Sequence, residues 1–264
     1  LDLNKNASVA GYGYSGGAQG LGWAASLRHS YAPELNVVGW ALGGTPTNIS
    51  SLLDYVTHTQ FAGYGIAGLT GLVDAYPDLK KEADSALTSE GHGALDFARS
   101  NCLAPVVKKY ANTDILSSSF AKRDGSYWDK LLKRNQGLFS STAYRDAVRE
   151  QTMGGKDTPD APVFMYHGVH DELIPYQDAK YTYKAWCHNG AKIQFTSYAN
   201  KDLDHYATEI AGSQPAFHFL QARLRGEKCP SGCQFSTDDK PFNPAILGNN
   251  RAMVQNAIQN AFGG

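Results

Sequence analysis

Residues 8–31 read Ser8-Val9-Ala10-Gly11-Tyr12-Gly13-Tyr14-Ser15-Gly16-Gly17-Ala18-Gln19-Gly20-Leu21-Gly22-Trp23-Ala24-Ala25-Ser26-Leu27-Arg28-His29-Ser30-Tyr31. Ser8–Tyr14 predicts a strand and Gly16–Tyr31 a helix, with Ser15 on the turn between them. The turn fits the pattern Gly-x-Ser-x-Gly. In that setting the glycines let strand and helix pack closely, while the serine takes a strained corner with its hydroxyl exposed. In a chain with 27 glycines a bare match carries little, and a glycine-rich turn that happens to hold a serine is the plain alternative. The flanking elements favour Ser15 as a nucleophile.

Three more strands are predicted outward from this stretch: Leu35–Leu42, Pro162–His167 and Lys192–Tyr198. Their near-continuous apolar character fits strands buried on both faces of a parallel sheet. The helix after the third begins near Pro175 and stops at Asn189-Gly190. Between the second and third strands no strand is convincing. Amphipathic helices fit at Ser51–Val56, Leu79–Leu87, Leu95–Tyr110, Tyr127–Arg134 and Ala143–Gln151. An insertion at the carboxyl edge of a parallel sheet is placed to roof a site. Its glycine-spaced run Phe61–Leu69 reads either as a slot for an aliphatic chain or as core between cap helices. The expected division is residues 1–44 (strand, helix and next strand), 45–160 (helical cap), 161–226 (core with the later site residues) and 227–264 (an irregular extension with a terminal helix, Asn250–Phe262).

A serine hydroxyl needs an adjacent base, and the base needs an anion to fix its tautomer. In the expected order of acid after a late strand and histidine after the last, Asp171 and His205 occupy the two places. Asp171 follows Pro162–His167, with Glu172 its nearest rival and Asp178 already inside a helix. His205 follows Lys192–Tyr198. His29 and His188 sit near helix ends, where the dipole suits them, and His218 lies deeper in a helix. His167-x-x-His170-Asp171 has the look of metal ligands but lacks a third partner of recognisable spacing. The Gly16 N–H is the expected first oxyanion donor.

A net charge of −1 gives no electrostatic case for nucleic acid or an anionic membrane. The basic cluster Lys122-Arg123 and Lys130–Arg134 reads as the wet face of a helix. The longest apolar run, Phe61–Val73, is broken by four glycines and falls short of the ~20 residues of a transmembrane span. The absence of an initiator Met, the even set Cys102, Cys187, Cys229 and Cys233, and the sequons at Asn6 and Asn48 together predict a mature secreted chain. Only seven residues precede the nucleophile strand, which would then be an exposed apolar sheet edge. The expectation is a cleaved or two-chain enzyme whose companion chain supplies the amino-terminal strands. The functional expectation from these residues is a secreted serine hydrolase. An amidase or acyltransferase with the same machinery, and a non-catalytic binding subunit, are the alternatives.

With these residues in view the chain resembles the fungal secretory lipases, the Candida antarctica lipase A-like family. The resemblance rests on Gly13–Ala18, Ser30–Gly39, Gly43-Gly44-Thr45-Pro46, Phe61-Ala62-Gly63, Ala67-Gly68-Leu69, His167, Asp171-Glu172, Ile174-Pro175-Tyr176, His205 and Thr208-Glu209-Ile210. It implies an α/β-hydrolase fold with a helical cap over an acyl-binding tunnel, acting on esters without a cofactor or metal. It assigns Ser15, Asp171 and His205 as the triad and Gly16 as an oxyanion donor, the second donor lying outside this chain. It also implies that Cys102 pairs outside the chain and that Cys187 pairs with Cys229 or Cys233.

Overall fold

The structure is a computed structural model and describes residues 4–87, 89–113 and 138–240. The predicted helices Tyr127–Arg134 and Asn250–Phe262, and the basic cluster around them, lie outside the described residues. The chain divides into two compact units. One holds the segments up to Thr47 and from Met153, and the other begins at Asn48 and returns at Thr152.

The first unit is a parallel sheet in the order β1-β2-β3-β4-β5: Val9–Tyr14, Val37–Gly43, Val163–Gly168, Ile193–Tyr198 and Cys233–Asp238. The four predicted strands are present within two residues of their expected bounds. The fifth was not predicted, because β5 (Cys-Gln-Phe-Ser-Thr-Asp) is largely exposed and shows no apolar run to read. It nevertheless pairs along its full length with β4, Ile193 opposite Cys233 through Tyr198 opposite Asp238. Every residue of β3 is buried, as a central strand covered on both faces requires. β1 pairs with β2 alone among the described residues and is only half-buried, with Val9 exposed.

Helix α1 (Gly16–Tyr31) follows β1, and a later helix, Tyr176–His188, follows β3. Both cover one face, where Ala18, Ala25, Leu42, Met165, Trp186, Ile193 and Phe195 form a core. The helix His205–Leu224 covers the other, packing its Ala216 and Phe219 over Ala41, Phe164 and Tyr166. The backbone N–H of Met153 donates to the Thr47 carbonyl at 2.9 Å, which ties together the two strands of chain that leave and re-enter this unit.

The second unit is helical: α2 (Ile49–Val56), α3 (Ala62–Ala75), α4 (Pro77–Ala86), α5 (Ser89–Ser100), α6 (Leu103–Lys109) and α7 (Thr142–Glu150). The two helices named above are therefore α8 (Tyr176–His188) and α9 (His205–Leu224). Asn48 caps α2 by accepting from the Ser51 N–H, and Ser141 caps α7 by accepting from Tyr144. Pro77 starts α4 at a position where its missing N–H costs nothing. The predicted helix Leu95–Tyr110 is two helices, broken at Asn101-Cys102. The glycine-spaced run is the start of a helix, α3, despite the low helix propensity of its four glycines. Packing overrides propensity there: a Cβ on Gly63 would stand 2.4 Å from the Val107 Cα of α6. Ala62, Ile66 and Leu69 are fully buried in this unit.

Candidate active site

The carboxyl ends of four neighbouring strands bring the site residues to one rim of the sheet. Ser15 follows β1 directly and occupies the N-cap of α1 with φ 53° and ψ −124°. A serine in the left-handed region costs about 1–3 kcal/mol and persists only where its surroundings impose it. Here they do: its N–H donates to the Gly43 carbonyl at the end of β2 (2.9 Å), and its carbonyl accepts from Gln19 (3.0 Å), the first bond of α1. A serine at an N-cap ordinarily spends its hydroxyl on the first-turn N–H groups, but Ser15 makes no such bond. Gly16 is exposed at the first turn, where backbone N–H groups have no partner within the helix. A Cβ on Gly13 would lie 2.6 Å from the carbonyl of Gly17, so the tight β1–α1 corner depends on that glycine.

Asp171 and His205 meet across two loops. Asp171 lies in the loop from β3 to α8, and His205 is the first residue of α9. Both are buried, at 1% exposure, and His205 Nδ1 is 2.7 Å from Asp171 Oδ2. The other carboxylate oxygen, Oδ1, accepts from the N–H groups of Leu173 (3.0 Å) and Ile174 (2.7 Å). Burial works against the charge of Asp171. The hydrogen bonds from His167 and His205 outweigh it and hold the carboxyl well below the usual carboxylate range. Asp204 caps α9 by accepting from the Ala207 N–H at 2.7 Å, which fixes the helix start on which His205 sits.

Ser15 and the histidine share the turn after β2. A Cβ on Gly44, which has φ +52°, would stand 3.0 Å from His205 Cε1 and 2.7 Å from Tyr14 Cζ. That turn therefore admits the imidazole because it carries no side chain, and its preceding carbonyl holds Ser15. Tyr14 links the same groups from the other direction. Its ring lies 5.0 Å from the imidazole and its hydroxyl donates to the His205 carbonyl. Burial, followed by the nearby Asp171 charge, raises the Tyr14 phenol far above its ordinary value, so it stays a donor.

The rival residues are elsewhere or differently used. Glu172 is used differently: its Oε2 accepts from the His205 backbone N–H at 2.9 Å. Asp178 is in the first turn of α8, and His29, His188 and His218 are exposed. Of the two histidines only His167 meets Asp171, its Nε2 3.1 Å from Oδ2, while His170 is exposed. Among the described residues no group of three His, Cys, Asp or Glu could hold a metal ion. Cys187 is bonded to Cys233, which selects one of the two partners implied by the resemblance. Cys229 is a half-buried thiol and Cys102 an exposed one. Asn6 is exposed before β1, whereas Asn48 is half-buried with its side-chain oxygen used in the α2 cap. The hold of Glu172 on the His205 backbone, the contact of His167 with Asp171 and the Tyr14 link were not read from the sequence. The spacing of His167 and Asp171 was the one available signal, and it resembles a metal pattern more than a hydrogen-bonded pair.

Residues 1–232 match the secretory lipase family. The chain belongs to the secretory lipase family. It is 42% identical over 266 residues to the secreted triacylglycerol lipase LIP1 of Malassezia furfur, covering all of this chain and 52% of that protein. It is 47% identical over 238 residues to LIP4 of the same organism, covering 89% of this chain and 43% of the other. The crystal structure of Candida antarctica lipase A in its closed state superposes with a TM-score of 0.82 at 29% identity, covering the whole of this chain and 61% of that one. The fold is that of an α/β-hydrolase. The chain spans about half the length of the curated relatives it matches. No helix among the described residues is long and apolar enough to cross a membrane.

Proposed function

We propose that this chain carries the catalytic machinery of a secreted lipase, a serine carboxylic ester hydrolase acting on lipid esters such as triacylglycerols. The observation that carries the reading is Ser15, strained and uncapped at the sheet rim and bonded to the Gly43-Gly44 turn against which the His205 of a buried Asp171–His205 pair lies. The secreted triacylglycerol lipases of Malassezia furfur support the substrate class and the extracellular setting.

In this mechanism Asp171 accepts the Nδ1–H of His205, which leaves Nε2 bare to take the Ser15 hydroxyl proton. Ser15 Oγ attacks the ester carbonyl, and the Gly16 N–H receives the developing oxyanion. His205 then returns the proton to the departing alcohol, and water releases the acid by the same route. Asp171 stays ionised throughout and stabilises the imidazolium. No cofactor takes part.

Among the described residues β1 pairs with β2 alone, which supports further strands on that edge, from the same polypeptide or from a companion chain. The second oxyanion donor and a partner for Cys102 belong to that part. Asn6 is the better glycan acceptor of the two sequons, being exposed.

Ser15→Ala tests the assignment. It is expected to abolish acyl-enzyme formation and covalent labelling by a serine-reactive phosphonate, with the fold intact by circular dichroism. Undiminished hydrolysis, or labelling at another residue, refutes it. Turnover on short esters, long esters and amides in parallel measures the leaving-group preference, and mass analysis of native material detects a co-purifying polypeptide.

A further inference from the structure

We propose that His167 is a positioning residue for the triad acid, donating its Nε2–H to the same Asp171 oxygen that receives His205. The proposal rests on the Ser15–His205–Asp171 reading. His167 is on the central strand β3 and is completely buried. Its Nε2 lies 3.1 Å from Asp171 Oδ2 and 3.2 Å from the Ile174 carbonyl. Both neighbours are acceptors, so Nε2 carries the hydrogen. Its Nδ1 is buried with no hydrogen-bond partner. A hydrogen on Nδ1 would be a buried donor without an acceptor, so the tautomer that fits these neighbours carries it on Nε2.

The donors around Asp171 then include the Leu173 and Ile174 N–H groups on Oδ1 and His205 and His167 on Oδ2. Ile174 closes a loop of bonds, because its N–H holds Asp171 while its carbonyl holds His167. The carboxylate is locked in plane and position, and its basicity toward His205 is reduced. The proton taken from Ser15 therefore stays on the imidazole. The groups facing His205 are Asp171, Glu172, Glu209, Tyr14 and Tyr206; those facing His167 are Asp171 and, edge-on at 5.9 Å, Tyr176. All of them are unchanged in the variants below.

The test compares His167→Phe, which removes the donor, with His167→Gln, whose Nε2 reaches the same place, in the full-length enzyme. His167→Phe is expected to lower kcat/KM about tenfold, the worth of one hydrogen bond to a charged group, through kcat and not KM. Its acid limb should move up by about half to one pH unit as Asp171 becomes the stronger acceptor. His167→Gln should restore both. In a Ser15→Ala background the low-field proton resonance of His205 Nδ1–H should move in His167→Phe and return in His167→Gln, which tests the contact without any turnover. If His167→Phe does not fold, His167→Asn, too short to reach Oδ2, takes its place. An unmoved acid limb and resonance, or equal defects in the Gln and Phe variants with equal losses of Tm, overturn the proposal. Retained activity in Ser15→Ala instead overturns the triad reading.

Discussion

Two adjacent carboxylates hold one histidine in different ways, and their environments drive them apart. Asp171 takes the ring, while Glu172 takes the backbone N–H of the same residue. Burial raises the Glu172 carboxyl above its ordinary value, and the bond from His205 offsets this only in part. Linkage then gives opposite signs. Asp171, with a depressed folded value, contributes stability that is present above the unfolded value of about 3.9 and is lost only as pH falls through its lower folded value. Glu172, with a raised folded value, contributes stability below about 4.3 that is lost as pH rises through its folded value. At neutral pH its charge is a liability. Glu172→Gln, which keeps an oxygen for the His205 N–H, is expected to raise Tm at pH 7, with the gain vanishing below pH ~4. Asp171→Asn should lower Tm at pH 7. Thermal melts across pH check both, and a Glu172→Gln gain that persists in acid contradicts the assignment.

At the scale of elements, the strand–serine–helix corner is held by backbone contact between Gly13 and Gly17. Gly13→Ala puts a Cβ 2.6 Å from the Gly17 carbonyl, and neither backbone can yield without moving β1 from α1. A loss of about 3 kcal/mol or more in urea unfolding is expected, together with loss of phosphonate labelling at Ser15. Gly17→Ala meets nothing within 4 Å and should change stability by about 1 kcal/mol or less, in the favourable direction. Equal costs for the two would remove the physical basis of the corner. Legibility followed from the same contacts. The corner, the four apolar strands and the placement of Asp171 and His205 after β3 and β4 were readable because apolar periodicity and chain order encode them. The strand β5 was not, since an exposed edge has no apolar signature, and its pairing is set by backbone bonds to β4. Helix α3 was not, since four glycines conceal a helix whose stability comes from the approach of α6 through Gly63. His167 was not, since its role is a contact across a loop rather than a local pattern.

For the molecule as a whole, the sheet has two free edges among the described residues and different means of holding them. β1 runs directly into Ser15 and is joined to β2 alone among the described residues. β5 is fixed by its ladder to β4, by Phe235 stacked on Phe195 at 5.5 Å, and by the Cys187–Cys233 disulfide from the end of α8. That cross-link spans 46 residues, a segment that includes β4 and the His205 helix α9. Closing a loop of that length in the unfolded chain is worth about 4 kcal/mol by chain entropy, and measured disulfides usually give 2–4. His205 itself is held by Asp171, Glu172 and the Asp204 cap, none of which depends on β5. The double variant Cys187→Ser/Cys233→Ser should therefore lose about 2–4 kcal/mol in urea unfolding and expose the β5 amides to hydrogen exchange. Its turnover at 25 °C should stay within about twofold of the parent, because the bonds that orient the imidazole are retained. A fall in turnover without a fall in stability would mean that β5, and not the loop from β3, sets the position of His205.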